Sequence, residues 1–482
     1  MAPTLTFAGQ FLPPELLDAI LTFIEPESDL EVDNNISLRY FHHLMQERQA
    51  ALHALCLTSR ALYAHCLPHL YRRIHWISGE RVYFDPPLKL TLFLRTLVTR
   101  PGLAGLVQHI YLNGWNMRWH FGGLFPTYFT RRELALFSTT VSNIIRSQDY
   151  DVKYRKPAAL AVVAISLMQG LRSIKLITHN EIYLDDFRSS YISDSVASPA
   201  EVAPVGMLAV LETLEITHNI PAGFLPSLPI PTLRNLKLAT SRVAHFGSLL
   251  RCAPNLENLE FTLMRDVISR METGNNWVDA DELHRIIITA PCSQKLRRLA
   301  IEIYWFCRAS TLEWGNWINF LCGIRGSLGP LTELRSLETL ETSISTLLGW
   351  RHTSWKSADL SSMLPAALKK LRIGHELYMF DTEFLWEEPA LMGLLEKLLS
   401  VRGKVAGDQG QKQHDEGRVG KLEEIVVLDE LRPIDLPNPD DGWEPRFEPE
   451  EIEQLKSCCE RWGVTFMVQV RRQKAERFFP GR

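Results

Sequence analysis

The amino-acid sequence predicts an α/β chain: a short N-terminal helical module followed by an irregular solenoid of strand-and-helix units. Three observations carry this reading. Just after a proline pair, Leu16, Leu17, Ile20, Leu21 and Ile24 recur on one helical face. Beyond about residue 100, a short phrase of the form Leu-x-x-Leu-x-apolar returns again and again, and its alternate apolar positions suit a strand with one buried face. The 482 residues are 46 % hydrophobic and 22 % charged, enough to build a substantial core.

Taken in order, Pro13 and Pro14 mark the start of the first helix, because a proline in the first turn lacks only an N–H that would have had no partner. Glu15 beside them favours the positive end of the helix dipole. The acidic stretch Glu25 to Asn35 leads to a second pattern in which Leu38, Phe41, Met45, Leu52, Leu55, Cys56 and Leu62 recur at helical spacings, as one long helix or two. The block closes at Leu67 to Ile74, where Pro68 is expected to interrupt a helix arriving from the N-terminal side.

The repeated phrase has eight members: Leu171/Ile174/Leu176, Leu211/Leu214/Ile216, Leu233/Leu236/Leu238, Leu256/Leu259/Phe261, Leu296/Leu299/Ile301, Leu337/Leu340 with Thr342 third, Leu368/Leu371/Ile373 and Leu422/Ile425/Val427. Gln108 to Leu112 reads as a degenerate first member. Successive starts lie 40, 22, 23, 40, 41, 31 and 54 residues apart. Only the 22- and 23-residue intervals match an ordinary leucine-rich repeat of about 20 to 29 residues, so the solenoid is irregular and expanded on its outer side. One such unit cannot bury its own apolar face, so each must stack on its neighbours and the ends need covers. Thr130 to Arg146 is the expected N-terminal cover, and Glu450 to Trp462 with the strand-like Val464 to Val468 the C-terminal one. Ser189 to Val205 and Gly403 to Gly420 read as mobile inserts, and the acidic, proline-bearing Pro433 to Glu448 as extended chain. The expected domains are residues 1–80, 81–470 and a basic tail at 471–482.

The residues Leu12-Pro13-Pro14-Glu15-Leu16-Leu17, Ile20-Leu21, Leu55-Cys56-Leu57-Thr58-Ser59-Arg60-Ala61-Leu62-Tyr63 and Leu70-Tyr71-Arg72-Arg73-Ile74 resemble the N-terminal module of fungal-type F-box proteins, here over about residues 11 to 75. The repeats that follow resemble the divergent leucine-rich repeats often joined to that module. The resemblance implies a three-helix F-box that docks on a Skp-type adaptor of a cullin–RING ubiquitin ligase, with the repeats holding an unknown protein target. It places Leu12, Pro13, Glu15, Leu16 and Ile20 in a first adaptor-facing group and Leu55, Leu57 and Leu62 in a second. Each such aliphatic contact is worth roughly 1.5–3 kcal/mol before association costs. The plainer alternatives are an amphipathic helix packed on the solenoid end and a repeat scaffold with no link to ubiquitin.

Other chemistry is weakly represented. A net charge of -4 and a pI near 6.4 give no basic footprint for nucleic acid. The N-terminus lacks a signal-like apolar core, so the eight cysteines are expected as thiols in the cytoplasm or nucleus. The apolar run Ala158 to Met168 spans 11 residues, well short of a membrane helix, and reads as a buried helix. His53, Cys56, His65, Cys66 and His69 crowd one stretch without zinc-ligand spacing, and Gly417 to Leu422 departs from a phosphate loop at two required positions. Trp305, Trp314, Trp317, Trp350, Trp355 and Trp386 concentrate in the later repeats, where core filling outweighs an interface role. No cofactor, metal or membrane partner is implied, and no catalytic role is expected, although a site assembled from distant loops stands as a further alternative.

Overall fold

A computed structural model describes residues 6–7, 10–11, 14–24, 38–77, 88–113, 167–177, 209–217, 229–240, 243–266, 276–306, 322–349, 358–374, 393–401, 422–430 and 449–471. The expected N-terminal cover, the inserts at 189–205 and 403–420, the segment 433–448, most of the apolar run at 158–168, Leu12 and Pro13, and every singled-out tryptophan except Trp305 lie outside these residues. The chain divides into two compact units, Met1–Thr232 and Leu233–Arg482.

The first unit opens with two short antiparallel strands, β1 (Thr6–Phe7) and β2 (Gln10–Phe11), and three helices, α1 (Pro14–Ile24), α2 (Leu38–Thr58) and α3 (Arg60–Arg72). The second apolar pattern is thus one continuous helix as far as Thr58. Ser59 separates it from α3: its hydroxyl accepts the Leu62 amide at 3.1 Å, the side-chain cap that lets a new helix start after a single non-helical residue. Pro68 does not interrupt α3, contrary to the sequence expectation. Pro68 and Ala64 are both exposed, so the carbonyl that the proline cannot serve faces water. The three helices close around Leu17, Leu21, Leu52, Cys56 and Cys66, with Ile24, Leu55, Leu62 and Leu70 packed against them.

Strands β3 (Arg73–Ile77), β4 (His109–Asn113), β5 (Ser173–Ile177) and β6 (Thr213–Thr217) then pair in parallel, in chain order. The helices α4 (Leu88–Thr99) and α5 (Pro101–Ala104) stand between β3 and β4. Residues 1–80 therefore hold more than the helical module, because β3 already belongs to this sheet. In register, Ile74, Ile110, Ile174 and Leu214 form one buried row.

The second unit continues the same grammar. Strands β7 (Asn235–Thr240), β8 (Asn258–Asp266), β10 (Arg298–Phe306), β12 (Thr339–Ser343), β13 (Lys370–Gly374), β14 (Glu424–Glu430) and β15 (Thr465–Arg471) pair in parallel in that order. A separate parallel pair joins β9 (Asn276–Asp279) to β11 (Cys322–Arg325). Each of the eight leucine phrases starts two residues ahead of a parallel strand and places its other two members on that strand, and the apolar members are buried. Leu236, Leu259, Leu299, Leu340, Leu371 and Ile425 share one register row, because each phrase contributes the same position to its strand, and Phe466 of β15 extends it. Helix α6 (Val243–Cys252) covers this side: Phe246 stacks on Phe261 with ring centroids 4.1 Å apart. Helix α7 (Ala280–Ile288) follows β9, capped by Asp279, whose carboxylate accepts the Glu282 amide at 2.8 Å. The short helices α8 (Ile344–Leu348) and α9 (Leu360–Met363) follow β12.

The expected C-terminal cover is helix α10 (Pro449–Arg461) followed by β15. Gly463 ends the helix with φ 66°, its amide bonded to the Glu460 carbonyl at 2.9 Å and that of Val464 to the Cys459 carbonyl at 3.0 Å. This pair of bonds satisfies carbonyls that the helix leaves open, and its left-handed residue suits glycine.

The second row of the sheet, Leu238, Phe261, Ile301, Thr342, Ile373 and Val427, contains one polar member. Thr342 is buried and its hydroxyl has no hydrogen-bond partner. Thr342→Val keeps the shape and removes the desolvated hydroxyl, so it is expected to raise stability by about 1 kcal/mol in urea unfolding. An unchanged or lowered midpoint would mean that the hydroxyl is served within the core.

Candidate functional site

Helix α1 has two apolar faces. Leu17, Leu21 and Ile24 turn inward to α2 and α3, as the spacing i, i+4, i+7 dictates. The other face carries a second set at that same spacing, Leu16, Ile20 and Phe23, and these are 50 %, 41 % and 77 % exposed. Near the end of α2, Leu57 is 74 % exposed, and on α3 Tyr63 is also exposed. Five of the nine large exposed hydrophobic side chains among the described residues thus belong to this one three-helix module. Such groups are normally met singly on a protein surface, whereas three in a row on one helix face, Leu16, Ile20 and Phe23, mark a place where another molecule lands.

Of the residues named from the sequence, Glu15, Leu16, Ile20 and Leu57 are solvent-facing. Leu55 and Leu62 pack against the core of the module, with only part of their surface open. Leu12 and Pro13 lie outside the described residues. Phe23 and Tyr63 were missed by the sequence reading, although Phe23 could have been found by extending the stripe of Leu16 and Ile20 by three residues.

The thiols of the same stretch serve the fold. Cys56 and Cys66 meet in the core of the module through a side-chain hydrogen bond, and burial pushes the Cys66 thiol up to about 11, which makes a thiolate ligand costly. On the sheet face of the first unit, His75 is held down to about 4, first by burial and then by Arg73, His109 and Lys175. The His75 and Tyr111 rings stand 5.6 Å apart, and the Lys175 ammonium lies 5.5 Å from the Tyr111 ring centre and 2.9 Å from Glu215. In the second unit, a cleft lined by Glu396, Glu453, Gln454, Ser457 and Arg461 holds an ion pair of Arg461 with Glu396 at 3.4 Å.

Among the described residues, no helix is long and apolar enough to cross a membrane. Fold and surface together define an α/β protein of stacked parallel strands that presents an apolar helix face on an N-terminal helical module. Comparison with protein-family models gives no match, and comparison with curated proteins gives none either.

Proposed function

We propose that this protein is the substrate receptor of a Skp–cullin–RING ubiquitin ligase. Its N-terminal module is an F-box that grips the Skp-type adaptor, and its strand stack is a leucine-rich-repeat solenoid that holds a protein target. The observation that carries this reading is the exposure of Leu16, Ile20 and Leu57 on a module whose Leu17, Leu21 and Leu52 are buried inside. A helix that merely covered the end of a solenoid would bury its apolar residues, whereas α1 keeps one row for the core and leaves one open. The chain needs no acid, base or nucleophile of its own for this role. Holding adaptor and target on one body raises the effective concentration of target lysines near the charged ubiquitin carrier. The reaction takes place in the cytoplasm or nucleus, without a cofactor, nucleic acid or membrane.

The test is co-purification of the full-length chain with a Skp-type adaptor, beside a Leu16→Ala, Ile20→Ala, Leu57→Ala variant. All three positions are exposed, so the circular dichroism and unfolding midpoint of the variant should match the parent. A stoichiometric complex that weakens about 100-fold or more in the variant is the expected result. Absence of a complex with the parent chain would instead favour a repeat scaffold unconnected to ubiquitin, and equal binding by both forms would move the contact away from this face.

A further inference from the structure

Each strand in a run of the second unit is immediately preceded by a charged residue: Arg234, Glu257, Arg297, Glu338, Lys369 and Glu423. Backbone hydrogen bonds place them side by side in that order. The Glu257 amide donates to the Arg234 carbonyl at 2.9 Å, Arg297 to Glu257 at 2.8 Å, Glu338 to Arg297 at 2.8 Å, Lys369 to Glu338 at 2.9 Å and Glu423 to Lys369 at 2.8 Å. The sign of the charge alternates at every step. Side chains meet at Arg234–Glu257, 2.6 Å, and Lys369–Glu338, 3.1 Å.

A second row lies three residues further along each strand: Lys237, Glu260, Ala300, Glu341 and Arg372, paired in register. Lys237 meets Glu260 at 2.9 Å and Arg372 meets Glu341 at 3.0 Å. Where Ala300 breaks the row, Arg298 of the same strand supplies the missing cation and comes within 3.9 Å of Glu341. The first unit repeats the pattern in Arg172–Glu212 at 3.7 Å and Lys175–Glu215 at 2.9 Å.

The buried row cannot do what these charges do. Leu236, Leu259, Leu299, Leu340 and Leu371 are the same side chain at the same register position, so this row does not tell one strand from its neighbour. The charged rows tell strands in order from strands out of order, since a strand shifted by one place sets like charges against each other. Like charges directly opposite on neighbouring strands are destabilising. We infer that the alternating charges form a strand-order code, which rejects out-of-order neighbours while the stack assembles. The first-row pairs Arg234–Glu257 and Lys369–Glu338 add little to the stability of the finished fold, because their side chains are a third to a half exposed and are screened by solvent. Their use lies in the arrangements that they forbid.

The triad Arg298–Glu341–Arg372 allows a clean test, because its flanking register partners, Asn258 and Val426, are uncharged. Arg372 also donates to Gln469, an amide that can turn to serve a carboxylate at the same place. E341R sets three cations together, E341Q removes the attraction alone, and R298E/E341R/R372E inverts the whole triad. The readouts are the yield of soluble native chain after dilution of the full-length protein from urea, and the urea midpoint, each at low and high salt. The expected result is a yield roughly fivefold lower for E341R at low salt. That loss should shrink at high salt as the charges are screened. E341Q should stay near the parent, and the inverted triad should recover most of the loss. A parent-like yield for E341R would overturn the code. So would an inverted triad as poor as E341R, since the defect would then follow side-chain shape and not charge. If E341R fails to refold at any salt concentration, the inverted triad decides alone: recovery supports the code and failure rejects it.

Discussion

Replacing Leu299 by alanine is expected to destabilise the protein by about 3–5 kcal/mol, whereas the same replacement at Leu16 leaves stability nearly unchanged. Leu299 is fully buried, with Leu259 and Leu340 as its register partners on either side. Removing its branched end deletes apolar contacts and leaves a cavity that two neighbouring rungs cannot fill without shifting their own strands. Leu16 stands on the open face of α1, with half of its surface in solvent. Urea unfolding of both variants, followed by far-ultraviolet circular dichroism, checks the contrast. A small effect at Leu299 would show that the rung relaxes around the gap, and a large one at Leu16 would show that α1 packs by its outer face.

The second large effect is expected at Gly326. Its φ of 68° lies in the left-handed region, and a Cβ there would overlap the carboxylate of Asp281. That carboxylate accepts the Ser327 amide at 3.0 Å, holding the turn after β11 against the first turn of α7. Gly326→Ala therefore adds a backbone penalty and displaces this hydrogen bond, for a loss of about 2–4 kcal/mol. Gly463 provides the control: its φ is nearly the same, 66°, but no heavy atom lies within 4 Å of an added Cβ. Gly463→Ala should cost only about 1 kcal/mol, the conformational part alone. Equal losses at the two glycines would remove Asp281 from the account, and the two unfolding midpoints decide.

Much of the architecture was legible in the residues because repetition makes local signals reinforce one another. One Leu-x-x-Leu-x-apolar phrase would have meant little, but eight of them each lead into a parallel strand that carries the last two positions of the phrase. Even Leu337/Leu340 with Thr342 kept its place, since the strand needs only that most of its inward positions be apolar. The end of α10 at Gly463 could be read for a similar reason: the helical pattern stops where a left-handed residue is available. Pro68 was misread, because whether a proline breaks a helix depends on whether water can reach the carbonyl it leaves unserved, and that is a matter of exposure.

At the candidate site the limit is of the same kind. Periodicity shows that α1 and α2 carry apolar residues in excess of one face, but it cannot say which ones another helix will cover. Leu55 and Leu57 are two residues apart in one helix, yet the first packs on the core of the module and the second stands in solvent. Leu16 and Leu17 divide in the same way. By itself the sequence determined the α/β class, the strands that carry the leucine phrases and the helical start, since each follows from the local spacing of apolar residues and from backbone preference. Only the tertiary structure decided which leucines were used up in the core and which remained exposed, and that Arg234, Glu257, Arg297, Glu338, Lys369 and Glu423 stand side by side with alternating sign, because burial and pairing arise between segments far apart in the chain.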